Sequence, residues 1–147
     1  MDPAALYRDL VIEHNRAPRR FGAIAGATHA GRAHNPMCGD DLCFHLRLAD
    51  GRIADLGFEG EGCALAIATA SMLGDALAGG GPDRLPLLRA AFEHLLASGE
   101  GDAMLGDLGA LAGVRAHPAR HRCARLAFDA VAHALATGGG NAAQESA

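Results

Sequence analysis

One short stretch of the chain, NPMCGD at 35–40, places a thiol and a carboxyl group on either side of a glycine. Gly39 lets the backbone turn, so the side chains of Cys38 and Asp40 can point the same way. Thiolates and carboxylates bind divalent metals, and the thiolate is also a good nucleophile. The stretch therefore predicts a metal-binding turn, although Asp40 and Asp41 taken alone are also typical turn residues before a strand.

The chain contains four cysteines, none of them in a CxxC pair: Cys38, Cys43, Cys63 and Cys123. This spacing argues against a zinc ribbon or a thioredoxin-type motif. Cys38, Cys63 and Cys123 fall at the ends of predicted elements, from which distant side chains can converge. With Asp40 they form a Cys3Asp set, enough for a tetrahedral zinc ion or one iron–sulfur cluster. For Cys63 and Cys123, packing as small apolar residues is an equally open interpretation.

The elements that must position these residues begin with strands. The segment 42–48, LCFHLRL, alternates apolar and polar residues, which predicts a strand with one buried face. Cys43 lies on the other face, so we expect it outside any metal site. Asp50-Gly51 predicts a hairpin. The returning strand has on its buried side Ala54, Leu56 and Phe58. For residues 22–31 we predict a loop that contains a short strand.

Helical patterns precede and follow these strands. A first helix opens at Asp2-Pro3 and ends by Pro18, with an apolar stripe of Leu6, Leu10 and Val11. Further helices follow Cys63, run over 85–97, and run over 118–136. This order predicts an α+β fold, a small three-stranded antiparallel sheet with helices packed on one face. We expect one domain over 1–137 and a disordered tail over 138–147. Eight large apolar residues are predicted to be buried: Leu42, Phe44, Leu46, Leu56, Phe58, Leu65, Leu126 and Val131.

Composition narrows the function classes. The 147 residues carry a net charge of -4, so the chain as a whole does not attract phosphate backbones and a nucleic-acid partner is not expected. No apolar run approaches the roughly 20 residues of a membrane helix, and the N-terminus lacks the pattern of a signal peptide. We therefore predict a cytoplasmic protein without a membrane partner, whose cysteines are free or metal-bound.

Four stretches together resemble the SufU/IscU family of iron–sulfur cluster assembly proteins, whose fold is that of the NifU N-terminal domain. They are LYRDLVIEHNRAPRRFG, NPMCGD, GFEGEGCALAIATASML and LGDLGALAGVRAHPARHRCARLAF. The resemblance covers nearly the whole chain. It implies that the metal ligands are Cys38, Asp40, Cys63 and Cys123. It also implies two partners, a cysteine desulfurase of the SufS type and a cluster-assembly scaffold complex.

The region before Cys123 favours the SufU branch of this family. IscU-type proteins have a histidine ligand directly before the last cysteine, where this chain has Arg122. His121 is not a substitute, because two residues on a helix differ by about 200°. The chain also has 59 residues between Cys63 and Cys123, and the extra segment at 85–105 is similar to the SufU insertion.

The SufU resemblance implies Zn²⁺ as the cofactor and a protein that accepts sulfur. We expect Cys38 to be the acceptor, because its thiolate lies on a glycine turn that can move. Three thiolates, one carboxylate and Zn²⁺ leave a net charge of about -2, by the ordinary charges of these groups. Arg120, three residues before Cys123, shares its predicted helix face and offsets part of that charge. We also expect the glycines near Cys63 to let the backbone approach the site, namely Gly57, Gly60 and Gly62.

Three other function classes use the same residues. The first is a scaffold that assembles a [2Fe-2S] cluster, or binds iron, on the four ligands. The second is a zinc hydrolase, which is disfavoured because four protein ligands leave no position for water. The third is a structural zinc module that only binds a partner, which would not ordinarily use an aspartate on a mobile turn. We therefore predict a sulfurtransferase-like accessory protein rather than a stand-alone enzyme.

Overall fold

The computed structural model describes residues 3–37 and 39–137, so Cys38 and the predicted tail at 138–147 lie outside the described residues. The strands are β1 (His29–Asn35), β2 (Asp40–Ala49) and β3 (Arg52–Glu61). The α-helices are α1 (Pro3–Arg16), α2 (Ala64–Leu77), α3 (Arg84–Ser98) and α4 (His121–Thr137). A 3-10 helix spans Ala103–Val114, and a second, Pro118–Arg120, leads into α4.

The three strands form an antiparallel sheet in the order β1-β2-β3. The turn between β2 and β3 is the predicted Asp50-Gly51 hairpin, with φ of +54° and +73°. Positive φ at both central residues is the type I′ geometry that matches the twist of paired strands. The predicted α+β fold with a three-stranded antiparallel sheet is confirmed.

A β-bulge in β3 changes which residues of that strand enter the core. Leu48 pairs with Ile53 and Arg47 pairs with Asp55, so Ala54 is an extra residue without a partner on β2. Ile53 is fully buried and Ala54 is exposed. The prediction that Ala54 faces inward is therefore wrong, because the bulge interrupts the alternation.

The core lies between the sheet and the helices. All eight residues predicted to be buried are at most 6% exposed. Alpha-helix α4 packs along β1 at very short range: a Cβ at Gly31 would lie 2.1 Å from the backbone nitrogen of Ala134. Phe92 of α3 and Phe128 of α4 stack with ring centroids 4.9 Å apart. The helix α3 thus packs on the helix that carries Cys123.

Alpha-helix α1 packs against the core through Leu10 and Val11, as predicted, but not through Leu6. Leu6 is exposed, whereas His14 is 1% exposed. His14 Nδ1 lies 2.7 Å from Ser71 Oγ on α2, and His14 Nε2 lies 2.9 Å from Asp107 Oδ2 on the longer 3-10 helix. The apolar pattern missed only His14, because this histidine is buried through polar partners rather than through its own apolarity.

Candidate metal centre

The loop between β1 and β2 presents Asp40. It is closed by the Asn35–Asp40 pair, and within it Gly39 N donates to Asn35 O at 2.8 Å. Gly39 has φ of +76°, a left-handed conformation that glycine adopts at little cost. Asp40 is the first residue of β2 and is only 2% exposed. The glycine turn therefore places the carboxyl group of Asp40 in the protein interior, at the first residue of β2.

Cys63 follows β3 and caps α2. Its backbone nitrogen donates to Asp40 Oδ1 at 2.9 Å, and its Sγ accepts from Ala66 N at 3.4 Å. Sulfur thus takes the place that serine or aspartate oxygen usually occupies at an N-cap.

Cys123 lies in the first turn of α4, far from Asp40 and Cys63 in the chain. The ligand atoms of these three residues all lie within 4.8 Å of one another. Cys63 Sγ and Asp40 Oδ2 are 3.6 Å apart. A tetrahedral zinc ion at about 2.3 Å from sulfur and about 2.1 Å from oxygen places those two atoms about 3.6 Å apart. The three donors therefore have the spacing of a metal site.

A half-open cavity of about 370 Å³ lies beside this group. Its wall includes both thiols, together with Arg120 from the short 3-10 helix and two side chains of α1, Tyr7 and Val11. Arg120 is exposed and shares this cavity with Cys123, although α4 itself begins only at His121. The cavity therefore has an apolar wall, and the guanidinium group of Arg120 lines it together with the two thiols.

Of the glycines expected to let the backbone approach the site, Gly62 does so and Gly57 does not. A Cβ at Gly62 would lie 3.4 Å from Asp40 Oδ1, so Gly62 does let the backbone pass close to the carboxyl group. A Cβ at Gly57 would instead lie 2.2 Å from Gly22 O. Gly57 faces the loop on the other side of the sheet and does not serve the metal group.

Cys43 lies outside the group, as strand alternation predicted. It is half-buried on the outer face of the sheet, beside Glu59 on β3 and Arg32 on β1. Burial, followed by the charge of Glu59, raises the pKa of the Cys43 thiol. At neutral pH this thiol is therefore protonated and is a poor nucleophile.

The structure thus brings together three of the four predicted ligands, and the fourth, Cys38, lies outside the described residues. His121, predicted not to be a ligand, instead contacts Val114 O through its Nε2 at 3.2 Å. Sequence reasoning missed that α1 forms a wall of the site. Tyr7 and Val11 are four residues apart on one helix face, which is the signal that could have shown it.

The fold and this group of donors define a small α+β protein in which an aspartate at the start of β2 and cysteines at the starts of two helices could together hold a metal ion. The family profile described as the NifU-like N terminal domain matches residues 6–124, and the chain belongs to that family. The resemblance predicted from the four sequence stretches is thereby confirmed. No helix in the described part of the chain is long and apolar enough to cross a membrane.

Two relatives illustrate the family. The zinc-dependent sulfurtransferase SufU of Bacillus subtilis is 34% identical over 133 residues, which are 89% of this chain and 90% of the relative. The iron-sulfur cluster assembly scaffold protein IscU of Streptococcus pyogenes is 32% identical over 132 residues, covering 88% and 82% of the two chains. The chain is therefore similar to members of both branches at nearly the same level.

Solved structures show the same architecture. A crystal structure of a hypothetical protein matches with a TM-score of 0.82 and 31% identity, covering 90% of this chain and 98% of that one. An iron-sulfur cluster assembly scaffold protein for the SUF system from Fervidobacterium islandicum matches in fold, with a TM-score of 0.81 at 23% identity over 89% of this chain and 97% of that one.

Proposed function

We propose that this protein accepts sulfur from the persulfide of a cysteine desulfurase and passes it on for iron–sulfur cluster assembly. The observation that carries the proposal is the convergence of Asp40, Cys63 and Cys123 within 4.8 Å. The similarity to a zinc-dependent sulfurtransferase over 89% of the chain supports it. Under this proposal Cys38 is both the fourth metal ligand and the sulfur acceptor.

Zinc fits the described donors. Two thiols and a carboxyl group with a sulfur–oxygen separation of 3.6 Å suit a tetrahedral ion of borderline softness. Under the proposal, Cys38 completes the set from the loop that Gly39 and Asp40 terminate. When bound, zinc would keep the cysteines ionised at neutral pH and link the loop to the starts of α2 and α4.

Cys38 is the nucleophile of the sulfur-transfer step. Its thiolate attacks the terminal sulfur of the partner's persulfide, a new sulfur–sulfur bond forms on Cys38, and the old bond breaks so that the partner's thiolate leaves. No oxidant or reductant is consumed. Under this proposal the persulfide approaches through the cavity lined by Tyr7, Val11 and Arg120, because the guanidinium of Arg120 attracts an anion.

The proposed partners follow from this chemistry. A cysteine desulfurase of the SufS type supplies the persulfide, and a cluster-assembly scaffold complex consumes the sulfur. The thiols of Cys63 and Cys123 must stay reduced to serve as metal ligands. A reducing compartment such as the cytoplasm meets that requirement.

The rival function is a scaffold on which a [2Fe-2S] cluster, or iron alone, is assembled. A specific observation favours it, since a relative named as a scaffold is 32% identical over 88% of this chain. Three cysteines and an aspartate can also hold a cluster. The two functions differ in what the protein does to its partner: an acceptor raises desulfurase turnover, whereas a scaffold retains iron and sulfide.

The deciding experiment compares zinc-loaded wild type with Cys38→Ser and Cys43→Ser. Each protein is incubated with a desulfurase and cysteine, alanine release is measured, and mass spectrometry locates any added sulfur atom. We expect the wild type and Cys43→Ser to raise turnover and to carry the sulfur on Cys38. Cys38→Ser should do neither.

Two outcomes contradict the proposal. Sulfur that maps to Cys63 or Cys123, with Cys38 unmodified, would show that the acceptor is misassigned. A wild-type protein that stimulates no desulfurase, yet builds a stable cluster from iron and sulfide, would establish the scaffold function instead.

A further inference from the structure

A second set of metal-ligand side chains lies on the outer face of the sheet, away from the core. Cys43 and His45 are two residues apart on β2 and therefore share a face, and Glu59 on β3 is the cross-strand partner of Cys43. All three line a concave region of about 330 Å³. Asp40 lies on the opposite face of β2 because its strand position differs by an odd number of residues.

The imidazole of His45 joins the other two side chains. His45 Nε2 lies 3.8 Å from Cys43 Sγ and 2.8 Å from Glu59 Oε1. The side chain of His45 is 13% exposed, whereas that of Glu59 is 49% exposed. The sulfur and nitrogen are thus held by the sheet, and the carboxylate is free to adjust by rotation about its side-chain bonds.

The two distances from His45 Nε2 are close to those around a zinc ion, whereas the three ligand atoms do not all lie within 4.8 Å of one another, so the Glu59 carboxylate must rotate toward Cys43 Sγ to complete the set. Tetrahedral coordination with about 2.3 Å to sulfur and about 2.0 Å to nitrogen places sulfur and nitrogen about 3.5 Å apart. The nitrogen–oxygen separation would lengthen to about 3.3 Å when an ion replaces the shared proton. One thiolate, one imidazole and one carboxylate form a three-ligand set, and the concave region has room for water at the fourth position.

The charges around the set also suit a cation. Glu59 and Glu61 both line the concave region. The nearby guanidinium of Arg32 is engaged by Asp41, with Arg32 Nε donating to Asp41 Oδ1 at 2.7 Å. The positive charge closest to the set is therefore already paired, and the carboxylate of Glu59 stays available to a metal.

We propose that Cys43, His45 and Glu59 form a second zinc-binding site, separate from the centre at Asp40, Cys63 and Cys123. Zinc bound at this set would replace the thiol proton of Cys43, which is released to solvent. This site goes beyond the proposed sulfur transfer and does not depend on it.

The first experiment measures how many zinc ions each protein molecule binds, and how tightly. Protein loaded with one equivalent is titrated with further zinc against a chromophoric chelator. We expect a second equivalent in the wild type and a loss of at least about tenfold in its affinity in Cys43→Ser, His45→Gln and Glu59→Gln. His94→Gln is the matched control, because His94 and Glu100 make the same imidazole–carboxylate contact, 3.2 Å, without a nearby thiol in the described contacts.

The second experiment identifies the ligand directly in the wild-type protein. Cobalt added to the one-zinc protein should give a thiolate-to-cobalt charge-transfer band, and the second metal should slow alkylation of Cys43 as mapped by mass spectrometry. A wild type that binds only one zinc, or a Cys43→Ser protein that binds the second as tightly, would overturn the proposal. Loss of the second equivalent in Cys63→Ser would overturn the independence of the two sites.

Discussion

At the scale of single residues, Asp40 connects the turn, the strand and the helix start. It is 2% exposed, Oδ1 accepts from Cys63 N, and Oδ2 lies 3.6 Å from Cys63 Sγ. A buried carboxylate needs such partners because its desolvation is otherwise costly. One oxygen is therefore used to fix Cys63, and the other is left for a metal.

Replacing Asp40 by asparagine tests this division. Asparagine keeps an oxygen that can accept from Cys63 N but lacks the charge that zinc prefers, so we expect zinc affinity at the first site to fall at least about 10- to 100-fold with little change in folding. Competition with a chelator measures the affinity. Asp41→Asn is the control, because Asp41 pairs with Arg32 on the outer face. Wild-type affinity in Asp40→Asn would contradict the ligand assignment.

At the scale of elements, a bidentate ion pair between Glu93 and Arg125 joins α3 to α4. Arg125 Nε and Nη2 donate to the two carboxylate oxygens of Glu93 at 2.8 and 2.7 Å. These hydrogen bonds lower the pKa of Glu93. Because α4 also carries Cys123, this pair helps fix the helix that presents one of the thiols.

The ion pair predicts a pH-dependent contribution to stability. The lowered pKa means that the stabilisation is complete above the pKa of unfolded glutamate, about 4.3, and is lost as the pH falls through the folded value. Both side chains are more than a third exposed, 38% and 39%, so the contribution is at most about 1 kcal/mol.

Urea unfolding of wild type and Glu93→Gln checks it. We expect Glu93→Gln to be less stable by up to about 1 kcal/mol near neutral pH, with the difference shrinking as the pH is lowered below about 4. A difference that stays constant over this range would show that the glutamine acts through packing rather than through charge.

At the scale of the whole molecule, the position of α4 depends on its approach to β1. Gly31 leaves no space between the strand and the backbone of α4, and Thr137 Oγ1 donates to Ala30 O at 3.0 Å near the end of the helix. The same helix packs on β2, α2 and α3. Its placement is therefore a property of the complete core rather than of any one contact.

Gly31→Ala should displace this helix. A Cβ 2.1 Å from the backbone nitrogen of Ala134 cannot be accommodated without moving α4, so we expect a loss of about 2–3 kcal/mol in the free energy of unfolding. Gly109→Ala is the matched control, because a Cβ there meets nothing within 4 Å. Denaturant unfolding measures both, and equal stability of the two variants would contradict the close-approach argument.

Local patterns in the sequence determined much of the fold. The alternation of Leu42, Phe44 and Leu46 specified the central strand, because strand side chains repeat every two residues whatever the strand packs against. Asp50-Gly51 specified its hairpin by backbone preference alone. The pairing of Cys38 and Asp40 around Gly39 identified a candidate site before any distance was available. Positions at element ends made Cys63 and Cys123 candidate ligands, and the resemblance favoured that interpretation over simple packing.

The tertiary structure decided what depends on contacts between distant segments. The bulge that exposes Ala54, the burial of His14 by Ser71 and Asp107, and the wall of the metal centre formed by Tyr7 all require partners far away in the chain. The sequence indicated that Cys43 is apart from the first centre, but it could not show that Glu59 lies beside it. Cross-strand register, which places those two side chains together, is fixed only when the whole sheet packs on its helices.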